Sequence, residues 1–273
     1  MKKISKSKIL YSIYIGVIFA FFYLPIAVTM FFSFNSSKSL THFTGFSLRW
    51  YENLITDSEI MSAVFVSISI AVLATIISTV IGTLTSIGLS KCKRVFREMV
   101  LNVNNIPIMN PEIVTAIGFM ILFSALAIPK GYLTMLLAHI TFCTPYVITS
   151  VYPKIRTLDP NLADAALDLG ATPFQALYKV LIPMLKEGIF AGALLAFTMS
   201  FDDFVISYFV TGNGVANISI VVYNMTKRTN PTINALSTIV IVVIFLTMFL
   251  VKFVPYVIRK KNRKEIVLNE KTN

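Results

Sequence analysis

Charge is scarce in this chain. Of its 273 residues only 14% are Asp, Glu, Lys or Arg, where a soluble domain carries about a quarter. Histidine and cysteine occur twice each and tryptophan once. No glycine is followed by lysine, so the GxxxxGK[ST] loop that cradles nucleotide phosphates is absent, as is the HExxH zinc motif. His42 lies in a loop and His139 in an apolar run, while Cys92 and Cys143 suggest neither a disulfide framework nor a metal site. No nucleophile, base and acid can be assembled. The sequence therefore predicts no catalytic residue, no bound metal and no cofactor of its own. Any uphill work must draw on an ion gradient or a separate ATPase.

Hydrophobic length is what the chain has in quantity. Hydrophobic residues make up 56% of it, and the mean hydropathy is +0.76. About 20 apolar residues cross a bilayer as a helix. Six segments meet that length: Ile9–Phe34, Met61–Ser90, Met99–Ile128, Tyr132–Tyr152, Gly188–Val210 and Ile233–Ile258. Most lack the polar face that helices of a soluble bundle show. The expected fold is all-α, a polytopic membrane protein with six transmembrane helices. Residues 1–8 form a short N-terminus, 9–258 the transmembrane domain and 259–273 a basic tail. The apolar run near the N-terminus is too long for a signal peptide and reads as a retained span.

The basic residues set an orientation. Nineteen of the 24 lie on one side: Lys2 to Lys8, Lys91 to Arg97, Lys154 to Lys186, and Lys252 to Lys271. Five lie on the other: Lys38, Arg49, Lys130, Lys227 and Arg228. Both termini and residues 158–183 are thus expected in the cytoplasm. The net charge of +11 is a topology signal, and its division among short loops and a tail speaks against a nucleic-acid partner.

Leu158–Pro183, LDPNLADAALDLGATPFQALYKVLIP, is a polar helix-forming island between the fourth and fifth spans. Asp159 before Pro160 reads as a helix start. Leu162, Ala165, Ala166 and Leu169 recur at helical spacing, and Gly170 suits a left-handed C-terminal cap. Thr172, Pro173 and Gln175 form a capping box with proline at the first helical position. Phe174, Leu177, Tyr178 and Leu181 follow as an apolar stripe until Pro183 interrupts the ladder. Two short amphipathic helices hinged at Gly170 need a surface to cover, either a protein partner or lipid headgroups.

This stretch resembles the cytoplasmic EAA loop of ABC importer permeases. That pattern is Glu-Ala-Ala, three residues, Gly, nine residues, then Ile-x-Leu-Pro. Here Asp164-Ala165-Ala166 precedes Gly170, and Val180-Leu181-Ile182-Pro183 closes the motif. Asp164 in place of Glu keeps the carboxylate with a shorter reach. Three further segments are similar to the spermidine/putrescine permease group: Phe46 to Tyr51, Ile106 to Val114, and Phe197 to Ile206. Within that group the chain is most similar to the C-type subunit. The resemblance implies a type I ABC importer permease in the bacterial inner membrane. It also implies a homologous B-type permease partner, two copies of a cytoplasmic ATPase that binds ATP and Mg, and an extracytoplasmic polyamine-binding protein. The ATPase would grip the loop through Leu162, Asp164, Ala165, Ala166, Leu169, Gly170, Phe174, Leu177 and Pro183.

Acids inside the spans bear on the cargo. A mid-membrane charge costs on the order of 2.5–3.5 kcal/mol. At about 1.5 Å per residue, Glu112 would lie roughly 20 Å along the third span, with Asp202 and Asp203 at a similar depth in the fifth. They could converge as carboxylates for a polycation, with Tyr146, Phe201 and Tyr208 adding aromatic faces. The competing reading is structural: an acid that caps a broken helix or pairs with a partner. Adjacent Asp202 and Asp203 cannot share one helical face. His139, Thr141 and Thr144 are expected to make interhelix hydrogen bonds, and Ser78, Gly82, Ser86 and Gly88 to serve close packing. Other cargoes of the superfamily (ferric iron, thiamine, an oxyanion), a proton- or sodium-coupled carrier, and a purely structural subunit stay open from the residues alone.

Overall fold

The computed structural model describes residues 6–39, 41–212, 214–227, 230–243, 245, 246 and 249. Helices joined by short turns make up most of them, and the only β pairing among them is an isolated bridge between Asn35 and Phe46. The chain divides into two compact units, residues 1–58 with 225–273, and residues 59–224.

The first unit carries α1 (Lys6–Phe32), a long apolar helix, and α2 (Arg49–Thr56). None of the apolar window of α1 is buried, so its surface is left to lipid or another chain. The turn that follows is organised by Asn35. Its amide donates to the carbonyls of Ser39 and His42 at 2.9 and 2.8 Å, and its Oδ1 accepts from Thr44 N–H at 2.8 Å. Trp50 is buried and its indole donates to the Asn35 carbonyl at 2.6 Å. Of the sixth predicted span, Thr232–Val243 is helical and apolar; most of the remainder, and the basic tail, lie outside the described residues.

The second unit contains α3 (Ser58–Lys91), α4 (Arg94–Met109), α5 (Glu112–Ala125), α6 (Tyr132–Arg156), α7 (Leu162–Asp168), α8 (Pro173–Ala176), a π turn (Leu177–Leu181), α9 (Ile182–Asp202), α10 (Val205–Val210) and, across its boundary, α11 (Ile218–Lys227). Its principal packed pair is α6 with α9, and α5 packs against α10. Lipid gives helices little hydrophobic reason to associate, so close van der Waals fit must hold them. Small residues allow that fit. A methyl added at Gly192 would come 3.2 Å from Val147 Cα, and one at Gly82 would come 2.7 Å from the Val147 side chain.

Two predicted spans depart from straight helices. The third is α4 and α5, bent by 105°. Pro111 disfavours the helical region for the residue before it, and Asn110 is extended at φ −77°, ψ 146°. The depth assigned to Glu112 by counting along one helix is therefore wrong; Glu112 stands in the first turn of α5. The fifth begins well before Gly188. One apolar helical run extends from Pro173 to Asp202, 30 residues, then breaks at Asp203, whose ψ is 125°.

Candidate functional site

The 158–183 loop is held by its own sequence. Gly170 has φ +83°, where an L side chain is strained. Its N–H donates to the Leu167 carbonyl at 2.9 Å, and Ala171 N–H reaches the Ala166 carbonyl at 3.0 Å. That pair of bonds is a Schellman close to α7. Two residues on, Thr172 N–H donates to Gln175 Oε1 at 3.0 Å and Gln175 N–H to Thr172 Oγ1 at 3.3 Å. The capping box predicted from Thr-x-x-Gln is present.

One local expectation is corrected. The first helix starts at Leu162, because the Asp159 side chain turns the chain by accepting from Asn161 N–H at 2.9 Å. The expected interruption of the regular ladder at Pro183 is present, and it does not end the helix. A proline ring clashes with the carbonyl four residues before it and offers no N–H. The backbone widens instead into the π turn, where Ile182 N–H bonds to the Leu177 carbonyl. The helix then runs on, so the second half of the loop and α9 are one rod.

Leu162, Ala166 and Leu177 are half-buried on the loop's inner side, whereas Asp164, Ala165, Gly170 and Pro183 are exposed. Leu169 is 89% exposed and Phe174 73%. Phe174 stacks on the equally outward Tyr178, centroids 6.4 Å apart. Asp164 approaches Lys91 of α3 at 3.8 Å, and Lys154 of α6 pairs with Glu187 of α9 at 2.7 Å.

The adjacent acids at the far end of the rod are unlike. Asp203 is buried and acts as a cap for α10. Its carboxylate accepts from Ile206 N–H at 3.2 Å, Ser207 N–H at 2.7 Å and Ser207 Oγ at 2.8 Å. His139 of α6 lies 3.4 Å from it and shares hydrogen bonds with Ser200 (2.7 Å) and Ser207 (3.0 Å). Asn217 donates to the Asp203 carbonyl and to Ser207 Oγ. Asp202 is exposed, beside half-buried Phe201, which stacks on Phe197. Glu112, also exposed, lies within electrostatic reach of the half-buried Tyr146 phenol. Tyr208 sits apart, among Phe204 and Tyr223 at 5.4 and 6.0 Å, on a cavity of about 620 Å³ that Glu59 and Asn224 also line.

His139 bonds across helices as expected, but Thr141 and Thr144 do not. Their hydroxyls return to the carbonyls of Leu137 and Ile140 in α6. Sequence reasoning missed Ser200, Ser207 and Asn217. The Asp203–Ser207 spacing, an acid just ahead of a short apolar run, was the available signal.

The sequence profile of binding-protein-dependent transport system inner membrane components matches residues 78–264. The chain belongs to that family. It is 38% identical over 235 residues to the putrescine transport system permease protein PotI of Escherichia coli K12, covering 82% of each chain. It is 36% identical over 230 residues to the spermidine/putrescine transport system permease protein PotC of the same strain, covering 84% of this chain and 87% of that one. Among solved structures, a bacterial ABC transporter involved in import of the acidic polysaccharide alginate superposes with a TM-score of 0.74, covering 93% of this chain and 100% of that one, at 16% identity. That likeness concerns the fold.

The family match takes in the loop, the rod, the bent α4–α5 pair and the whole His139–Asp203 network. As an inner membrane component with several apolar spans, the chain is a multi-pass membrane protein of a transport system.

Proposed function

We infer that this chain is one membrane-spanning permease of an ATP-driven importer for polyamines, spermidine or putrescine. It pairs with a homologous B-type permease, receives its cargo from an extracytoplasmic polyamine-binding protein, and is driven by two copies of a cytoplasmic ATPase that bind ATP and Mg. The two permease relatives named for these cargoes support the substrate class. The nineteen basic residues on the loop side support a cytoplasmic loop and termini.

The observation that carries the coupling role is the continuity of Pro173–Asp202. At about 1.5 Å per residue the rod is roughly 45 Å long. Its loop end offers exposed Leu169, Phe174 and Tyr178, each able to contribute about 1.5–3 kcal/mol if fully buried by a partner. Its other end carries exposed Asp202. Closure of an ATPase dimer on the loop would thus displace the acid end of the same helix, turning nucleotide chemistry into a change of access. Asp202, Glu112, Phe201 and Tyr146 have the chemistry to receive an ammonium group, charge with aromatic faces. Asp203 positions the helix break.

The test is uptake of labelled spermidine and putrescine by vesicles containing the whole complex, with co-purification of the ATPase. Ala166→Asp and Gly170→Pro should insert normally yet lose both ATPase and uptake. Wild-type transport by both variants would sink the docking role. Transport without any associated ATPase would point to an ion-coupled carrier.

A further inference from the structure

Beneath the 158–183 loop lies a cavity of about 240 Å³ that the transport reading does not use. It is formed where four pieces of the second unit meet: the ends of α3 and α6, the start of α4, and the loop with the foot of α9. Its wall divides by chemistry. Tyr152, Leu158 and Leu185 make an apolar side, with Tyr152 and Leu185 buried. Lys91, Arg97 and Arg156 bring cationic groups. Asp159 is the carboxylate on the lining, and it already accepts from Asn161 N–H; Lys91 is approached at 3.8 Å by Asp164, which leaves Arg97 and Arg156 as the cations for a ligand.

We propose that this cavity is a binding site for an anionic phospholipid of the leaflet on the loop side, the phosphate lying against Arg97 and Arg156 and the glycerol end against the apolar wall. Charge complementarity argues for an anion. Arg156 has no carboxylate partner among the described residues, and an arginine fork suits a phosphate. The mixed wall argues for lipid over a free ion, because a bare phosphate would leave Leu158 and Tyr152 facing water. The position agrees: the apolar helices α3 and α6 both end here, and basic pockets between spans suit acidic headgroups. A lipid so placed touches both the bundle and the loop, and braces the foot of the rod.

The experiment is lipid retention by the full chain. It is extracted from vesicles of equimolar phosphatidylglycerol and phosphatidylcholine, and the co-purifying lipid is quantified by mass spectrometry. The expected result is enrichment of phosphatidylglycerol, falling about five-fold in Arg156→Gln and reaching parity in the Arg97→Gln/Arg156→Gln double variant. Leu158→Trp, which fills the cavity but keeps its charges, should also lower it. Arg94→Gln removes an exposed cation paired with Glu98 outside the cavity and should leave it unchanged. Equal retention of the two lipids by wild type, or an unchanged double variant, overturns the site. A loss with Arg94→Gln as large as with Arg156→Gln reduces it to general surface charge. Displacement of the lipid by millimolar inorganic phosphate overturns the lipid in favour of a free anion.

Discussion

The two ends of the Pro173–Asp202 rod are stabilised in opposite ways. At the loop end every special feature is closed within a few residues: the Gly170 turn, the Thr172–Gln175 box and the π turn that absorbs Pro183. At the far end the break is held from a distance, by His139 on α6 and Asn217 beyond α10 converging on Asp203 and Ser207. A locally built end can move as a unit when a partner pulls it. An end tied to three elements can move only together with them, so a pull on the loop reaches the neighbours of Asp203 as one displacement.

The sharpest break of this comparison separates Asp202 from Asp203. Asp203→Ala leaves two backbone donors, the Ser207 hydroxyl and His139 short of an acceptor in a buried site. Loss of one partner in such a site costs about 3–5 kcal/mol. The expected outcome is a steep fall in folded yield and in detergent melting temperature. Asp202→Asn, one residue away and exposed, should change stability by under about 0.5 kcal/mol while lowering polyamine uptake at least about ten-fold. Equal melting temperatures for the two variants would remove the distinction.

Next comes the helix seam that carries motion from the loop to the break. A methyl added at Gly192 would come 3.2 Å from Val147 Cα and 3.3 Å from Ser150 Cβ, closer than ordinary van der Waals contact, across α6 and α9. Gly192→Leu must push the helices apart or strain rotamers, at a cost of about 1–3 kcal/mol. Gly88, expected to pack closely, has nothing within 4 Å of an added methyl; that corrects the expectation and provides the control, since Gly88→Ala should be neutral or slightly stabilising. The measurement is the melting temperature of each variant in the same detergent.

The same contrast explains what was legible. The loop could be read residue by residue because caps, boxes and left-handed glycines are local physics. Gly170 and Thr172 do what their neighbours dictate. The start at Leu162 is read too early, at Asp159, because Asp159 serves a turn as readily as a cap. The Asp203 network was half legible: a capping acid was one of the readings of the sequence, but its partners lie up to about 65 residues away, and no spacing rule links His139 to Ser207. The 105° bend at Pro111 is only partly written in the residues, since a proline sets where a helix yields while neighbours set how far. Exposed Leu169 and Phe174 look like errors in an isolated chain and make sense once a partner is granted.

Leu169→Asp and Phe174→Asp test the free side of the loop end. Both positions are exposed, so the variants should insert and melt like wild type, within about 0.5 kcal/mol. ATPase co-purification should drop several-fold for each, since a buried carboxylate would replace apolar area at the joint. A loss of melting temperature as large as that of Gly192→Leu would show that these side chains serve the chain's own packing and not a partner.

The smallest expected effect concerns Lys91 and Asp164. Their 3.8 Å approach joins α3 to α7, with the side chains 59% and 64% exposed. Exposed pairs contribute about 0–1 kcal/mol and are screened by salt. Lys91→Gln should therefore leave stability almost unchanged and uptake near wild type. Asp164→Asn removes the same pair, so the two variants must match if the pair is all that Asp164 provides. If the carboxylate also meets a cation on the ATPase, Asp164→Asn loses coupling where Lys91→Gln does not, and Asp164→Glu, with the longer reach, keeps it. Comparing ATP-dependent uptake in the three variants decides whether the loop end is held only by its own chain or gripped from outside.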